Sequence, residues 1–376
     1  MISKIHIEAL KSIQEMTLDC AGLNLIVGTN SSGKSTLLQA ILLNAQNREE
    51  KTGLNGKLVS LGEFREARNY HMPNRNIKIE IWQSDHKEPS KMEFIGDKER
   101  DEYKIKVSAD LEPCRITILD ESGGTAFRLV DPLVLHYLSC DRVGAMDIYK
   151  KNMIEGSGMG TNGEFALAYL LKHDTDPVDK DMAVQDGRTT NSLLDQVNYW
   201  LNYIVGTMLQ INDLKKTNYL QVKYNNNQGN INLDAAYCRP INVGAGISYM
   251  VSVLITCLAS GPNDIILIEN PEIHLHPKAQ SRVGEFLHHV SKAGRQLFVE
   301  THSDHIFNSI RVGVAQNKIC QEDVKVYFFA LDDNYETQCN PIIFGEYGKI
   351  TGLNHSMDIH DLFDQFEIDL DKMLGL

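Results

Sequence analysis

Gly28-Thr29-Asn30-Ser31-Ser32-Gly33-Lys34-Ser35 follows the spacing G-x-x-x-x-G-K-[ST], with Thr36 next in the chain. Glycines at those two positions let the backbone curl so that successive N–H groups face inward on phosphate oxygens, and the N-terminus of a following helix adds positive potential. Lys34 would then reach the β- and γ-phosphates, and the Ser35 hydroxyl would hold Mg²⁺. The flanking sequence supplies the context this chemistry needs. Residues 23–27 form a continuous apolar run suited to a buried parallel strand ending at Gly28, and residues 34–45 read as a helix.

A second set of candidates lies far along the chain. Asp264-Ile-Ile-Leu-Ile-Glu269-Asn270-Pro271-Glu272 is an apolar strand that delivers carboxylates at its C-terminal end, the side on which open α/β sheets bind ligands. Glu269 is expected to hold Mg²⁺ or its water, which makes Ser35 and Glu269 the candidate metal ligands. A second carboxylate nearby, such as Glu272, can orient the attacking water for phosphoryl transfer. In the next strand, Gln296-Leu-Phe-Val-Glu300-Thr301-His302-Ser-Asp304-His305, His302 stands at a strand end where an imidazole can donate to a γ-phosphate. His274, His276, His302 and His305 also admit a zinc site, since H-x-H and H-x-x-H can converge on that metal. Finally, Asn242-Val-Gly244-Ala-Gly246-Ile-Ser248 precedes a helix, so Gly244, Gly246 and the Ser248 hydroxyl form a second phosphate contact on this reading.

The elements that must carry these residues are legible from periodicity. Residues 2–9 read as a strand. Alternating runs at 77–82, 103–107, 115–119 and 133–137, separated by charged or glycine-rich turns, predict an antiparallel layer. From 141 to 216 the pattern turns helical, strongest over 192–214. Residues 219–224 and 231–233 flank a polar turn and predict a hairpin. The helix from Ile247, the strand 265–268, the helix from Pro277 and the strand 296–299 restore β-α alternation. The expected fold class is α/β: a P-loop core with a mixed central sheet (1–50 and 240–330), an antiparallel β lobe (51–140), a helical lobe with a hairpin (141–239) and a C-terminal extension (331–376).

Composition narrows the function classes. The 376 residues are 42% hydrophobic and 23% charged, which excludes a disordered chain. A net charge of −13 excludes a generic polyanion binder, so any nucleic-acid contact would come from a local patch such as Arg65, Arg68 and Arg75 or Lys215 and Lys216. Seven scattered cysteines, an odd number, suit a reducing compartment, and the start of the chain lacks a signal-peptide pattern; the cytoplasm is the expected location. No apolar run approaches the ~20 residues of a membrane span.

Taken in order, these motifs resemble the ABC-type ATPase heads of the SMC and OLD group of P-loop proteins, over the first 45 residues or so and residues 240–308. Tyr137-Leu-Ser-Cys-Asp-Arg-Val-Gly144 is similar to a segment those heads carry before their helical lobe. The resemblance implies that 28–36 is Walker A, 243–248 the signature loop, Glu269 the Walker B acid, His276-Pro277 the D-loop region and His302 the switch histidine. It implies ATP and Mg²⁺ as cofactors and a head-to-tail homodimer in which one signature loop completes the partner's ATP site, with higher oligomers conceivable. It further implies a separate effector protein, a nuclease in prokaryotic defence against phage and mobile elements. A weakly hydrolysing nucleotide-gated scaffold and a RecF-like DNA-binding ATPase are the alternatives.

Four departures from the family pattern stand out. Asn270 occupies the position after the Walker B acid where a catalytic glutamate is usual, so either Glu272 takes that role or hydrolysis is slow, with Glu272 or Asn270 positioning the water, and no glutamine at 139–142 marks a Q-loop. Ser35 and Gly244 are 209 positions apart, too few for a long coiled coil, and the 74 residues after His302 are too few for a Toprim nuclease, so a nuclease is expected on another chain.

Overall fold

The computed structural model describes residues 1–49, 51–73, 75–84, 86–96, 102–108, 134–152, 159–225, 237–345, 348–352, 362, 369 and 372–374. The chain divides into two compact units, one of Ile2–Leu111 with Glu300–Leu376 and one of Glu112–Val299 with Met1. In chain order the first stretch holds β1 (Ile2–Leu10), β2 (Ile13–Asp19), β3 (Leu23–Gly28), α1 (Lys34–Glu49), α2 (Phe64–Ala67), β4 (Ile77–Gln83), β5 (Ser90–Gly96) and β6 (Tyr103–Val107). The middle stretch holds β7 (Leu135–Leu138), β8 (Tyr149–Lys150), α3 (Ala166–Lys172), α4 (Leu193–Val205), β9 (Met208–Leu214), β10 (Tyr219–Asn225), β11 (Tyr237–Cys238), α5 (Ala245–Ala259), β12 (Ile265–Glu269), α6 (Pro277–Lys292) and β13 (Gln296–Glu300), whose last residue opens the final stretch. There follow α7 (Asp304–Ala315), β14 (Val324–Leu331), β15 (Thr337–Phe344) and β16 (Ile350–Gly352).

In the unit built from the two ends of the chain, an antiparallel sheet runs β2-β1-β4-β5-β6. Its register sets Ile5 opposite Ile81 and Ile7 opposite Ile79, all buried, so alternate residues supply one apolar face. The second group runs β16-β15-β14-β3, with β14 parallel to β3 and Phe329 opposite Gly28. In the middle unit, β13-β12-β7 lie side by side, β12 parallel to β7, while β10 pairs with β8, β9 and β11. The fold is mixed α/β, as expected.

Several elements differ from expectation, each for an identifiable reason. Leu135–Leu138 is not part of the antiparallel layer; it pairs in parallel with β12. Its segment is a near-continuous apolar run, the pattern of a parallel strand rather than an alternating one. The helix expected over 192–214 stops at Val205, where Gly206 adopts φ 75°, and residues 208–214 form β9 instead. The hairpin partner of β10 is therefore β9, through the turn at 215–218. β2 and β5 had no counterpart in the sequence reading. The strand expected at 115–119, the hairpin arm at 231–233, most of the polar turn at 225–230 and nearly all of the acidic tail at 361–371 lie outside the described residues.

Candidate functional site

Gly28 ends β3 with φ 139°, and a Cβ there would lie 2.0 Å from the Phe329 carbonyl oxygen on β14. Gly33 has φ 97°, and its Cβ would lie 2.4 Å from Thr337 Oγ1. Both positions require glycine, so the loop is a backbone cradle held against its own unit. Thr337 fixes it further: its hydroxyl donates to Ser32 O (2.9 Å) and lies 2.8 Å from the Ser12 hydroxyl. Ser32 is fully buried and donates to Thr29 O at 2.8 Å, whereas Thr29, Asn30 and Ser31 are exposed on the loop's outer side, Ser31 with φ 61°.

Lys34 and Thr36 are buried and Ser35 half-buried in the first turn of α1. The Lys34 ammonium donates to the loop carbonyls of Gly28 (3.2 Å) and Thr29 (2.6 Å). Ser35 Oγ donates to Glu300 Oε1 at 2.9 Å, and Glu300, at the end of β13, is 5% exposed. His302, two residues on, is exposed; partial burial of its ring and then the Lys34 ammonium push its pKa below the usual histidine value. A cation, a helix N-terminus, a hydroxyl and a carboxylate thus converge on one glycine-walled loop. Those donors fit a magnesium-bound triphosphate.

The middle unit holds the other predicted residues. Glu269 is 8% exposed at the end of β12, and its carboxylate accepts the Tyr137 hydroxyl on Oε1 (2.9 Å) and the Cys140 N–H on Oε2 (3.0 Å). Arg142, 4% exposed, donates to Ser139 O (2.9 Å), Glu269 O (2.6 Å) and Asn270 O (2.6 Å). Burial lowers its pKa, and the neighbouring Glu272 carboxylate opposes that shift most strongly. Asn270 (φ 45°) and His274 (φ 59°) adopt left-handed backbone, and Glu272 is 9% exposed between them. The guanidinium therefore bridges two consecutive carbonyls of a strained turn.

Gly246 lies in the first turn of α5, and a Cβ on it would lie 2.5 Å from His274 O, so the glycine segment and the turn after β12 are in direct contact. Gly244 and Ala245 are exposed, and Gly244, Gly246, His274, Lys278 and Arg282 help to line a cavity of about 530 Å³. Ser248, in the first turn of α5, is 7% exposed.

Sequence reasoning overlooked Glu300, Arg142, Tyr137 and Thr337. For Glu300 a signal existed, the same one that marked Glu269: five residues of buried strand ending in a carboxylate. Among the described residues, no three His, Cys, Asp or Glu side chains stand together as a metal cluster, which leaves the zinc reading without a site. Of the arginines that could have formed a local basic patch, Arg65 pairs with Glu63 (2.5 Å), Arg75 lies 3.8 Å from Glu8, and Arg68 stacks over Phe64. No described helix is long and apolar enough to cross a membrane.

Residues 1–234 and 210–307 match the family model described as AAA ATPase domain. No curated protein matches the sequence. Among solved structures, an Smc head bound to the C-terminal winged-helix domain of ScpA is similar at 13% identity and a TM-score of 0.51, covering 95% of this chain and 99% of that one. The SMC head domain from Thermotoga maritima matches at 11% identity and TM-score 0.44, over 90% and 98% of the two chains. The Pyrococcus furiosus Smc head with an extended coiled coil, bound to the C-terminal domain of ScpA, matches at 12% and 0.45, over 99% of each. At these identities the likeness is one of fold, and the first of the three carries it.

Proposed function

This chain belongs to the AAA ATPase domain family, and from that premise we propose that it binds and hydrolyses ATP with Mg²⁺ and uses the cycle to assemble a head-to-tail homodimer that regulates a separate effector protein. The observation that carries this reading is the convergence of Lys34, Ser35 and Glu300 on the glycine-walled loop. Mg²⁺, when bound, neutralises phosphate charge and polarises the bond that breaks. The chain's own residues do the rest. Lys34 counters charge on the β- and γ-phosphates, Ser35 offers its oxygen to the metal, and His302 donates to the γ-phosphate.

On the sequence motif, Glu269 would hold Mg²⁺ or its water, and within the middle unit Tyr137 and Cys140 restrain its carboxylate. Glu272 serves as base or, failing that, Asn270 orients the water. The exposed Gly244 and Ala245 at the start of α5 would meet the partner protomer's nucleotide, where a helix N-terminus attracts phosphate. The resemblance to stand-alone OLD-like heads supports a nuclease as the effector, in phage or mobile-element defence. Asn270, in place of a glutamate, favours one second reading: a nucleotide-gated scaffold with very slow turnover.

Light scattering with parallel phosphate-release assays tests both readings on the wild type, Lys34→Ala and Glu272→Gln, with and without ATP and Mg²⁺. The expected result is a mass that doubles with ATP, persists longer in Glu272→Gln and does not change in Lys34→Ala. A mass indifferent to ATP, with no phosphate release, overturns the hydrolysing dimer. ATP-dependent mass with negligible turnover in wild type and Glu272→Gln alike selects the scaffold.

A further inference from the structure

We infer that Glu300, a residue outside the expected Walker A and Walker B sets, is the carboxylate that positions Mg²⁺ at Ser35; the inference rests on the proposed ATP site and assigns its metal-positioning group. The geometry is specific. Ser35 Oγ donates to Glu300 Oε1 at 2.9 Å. With its proton given to the carboxylate, the hydroxyl oxygen would keep its lone pairs available to a cation, and the neighbouring negative charge would raise the electron density they present. A metal ligand oriented by a hydrogen-bonded carboxylate is the same arrangement by which outer-shell groups fix first ligands in metal sites.

Placement supports the assignment. Glu300 ends β13, a strand buried at all five positions, and is itself 5% exposed. Ending a buried strand in a carboxylate is costly unless the charge meets hydrogen-bond donors or a cation. The next residue, Thr301, is tied to the phosphate-loop strand by its N–H to Ile26 O (3.0 Å), so the backbone that carries Glu300 is registered against the loop it serves. His302 follows in the same segment, two residues after Glu300, and is exposed. Glu269, by contrast, has both carboxylate oxygens engaged by Tyr137 and Cys140 in its own unit.

Manganese titration, read by the electron paramagnetic resonance of free Mn²⁺ in the presence of ATPγS, tests the assignment without relying on turnover. Binding of a fluorescent ATP analogue in EDTA supplies the metal-free affinity. In Glu300→Gln, which keeps the size and an acceptor but loses the charge, half-saturating Mn²⁺ should rise about ten- to a hundredfold, while the metal-free nucleotide affinity stays within about twofold. Glu300→Asp should recover part of the loss, and it provides the reading if the glutamine variant fails to fold. Combined with Ser35→Ala, Glu300→Gln should add little to the serine variant's own defect, because both act on one metal. An unchanged Mn²⁺ titration in Glu300→Gln, or fully additive effects in the double variant, overturns the inference and leaves the ATP site standing. A wild type that binds no nucleotide with or without metal overturns the ATP reading and this inference with it.

Discussion

Two buried strands in this molecule, β12 and β13, each run five residues and end in a glutamate, yet the two carboxylates meet different surroundings. Glu269 is 8% exposed and answered by fixed donors, the Tyr137 hydroxyl on the neighbouring parallel strand β7 and the backbone N–H of Cys140 just beyond it. Glu300 is 5% exposed and has among its partners the hydroxyl of Ser35 in the phosphate loop. Burial is nearly equal, so burial does not distinguish their roles; the identity of the donor does. A carboxylate whose partners belong to the fold contributes to stability in addition to any part it takes in ligand binding, whereas one whose partner is a prospective metal ligand contributes mainly to ligand affinity.

Substitutions can break that contrast, and the largest expected effect lies on the Glu269 side. Arg142→Ala removes the guanidinium that bridges the Glu269 and Asn270 carbonyls and leaves Glu272 without its cation. It should lower unfolding free energy by about 3–5 kcal/mol, measured by denaturant unfolding without ligand. Lys34→Ala should do the reverse, leaving ligand-free stability close to wild type while weakening ATP binding by about a hundredfold, near 3 kcal/mol, in calorimetric titration. If Lys34→Ala instead melts the protein, the ammonium's bonds to the Gly28 and Thr29 carbonyls are structural and the contrast fails.

Tyr137→Phe probes a single donor to Glu269 and should cost roughly 1–2 kcal/mol of stability, with nucleotide affinity little changed. The smallest effect concerns protons. His302 has a lowered pKa in the free protein, so it is mostly neutral at pH 7, and phosphate charge would raise it. A group whose pKa rises on binding takes up a proton, so ATP should bind more tightly as pH falls toward 6, and calorimetry in buffers of different ionisation enthalpy should show net proton uptake. His302→Gln should abolish both trends.

Local pattern made the phosphate loop fully legible, because glycine spacing, an apolar strand and a following helix are all encoded within about twenty residues. α1 begins at Lys34, as the motif requires. Glu269 was equally visible at the end of its apolar run. What escaped was everything decided by long-range pairing. The parallel alignment of β7 with β12 brings Tyr137, Cys140 and Arg142 to Glu269 across more than 120 positions of sequence, and no periodicity announces such a contact. Glu300 was hidden for a related reason: its meaning depends on Ser35, 265 positions away. The shortened α4 was a local failure, since Gly206 is the kind of residue that ends a helix and the apolar spacing beyond it masked the stop.

Thermal melting of Glu269→Gln and Glu300→Gln beside the wild type, each without ligand, with ATP and EDTA, and with ATP and Mg²⁺, tests the contrast most directly. The predicted result is a ligand-free melting temperature several degrees below wild type for Glu269→Gln and near wild type for Glu300→Gln, with the extra rise brought by Mg²⁺ lost in Glu300→Gln. A Glu300→Gln protein that melts as early as Glu269→Gln without ligand and yet gains the full Mg²⁺-dependent rise would contradict the account.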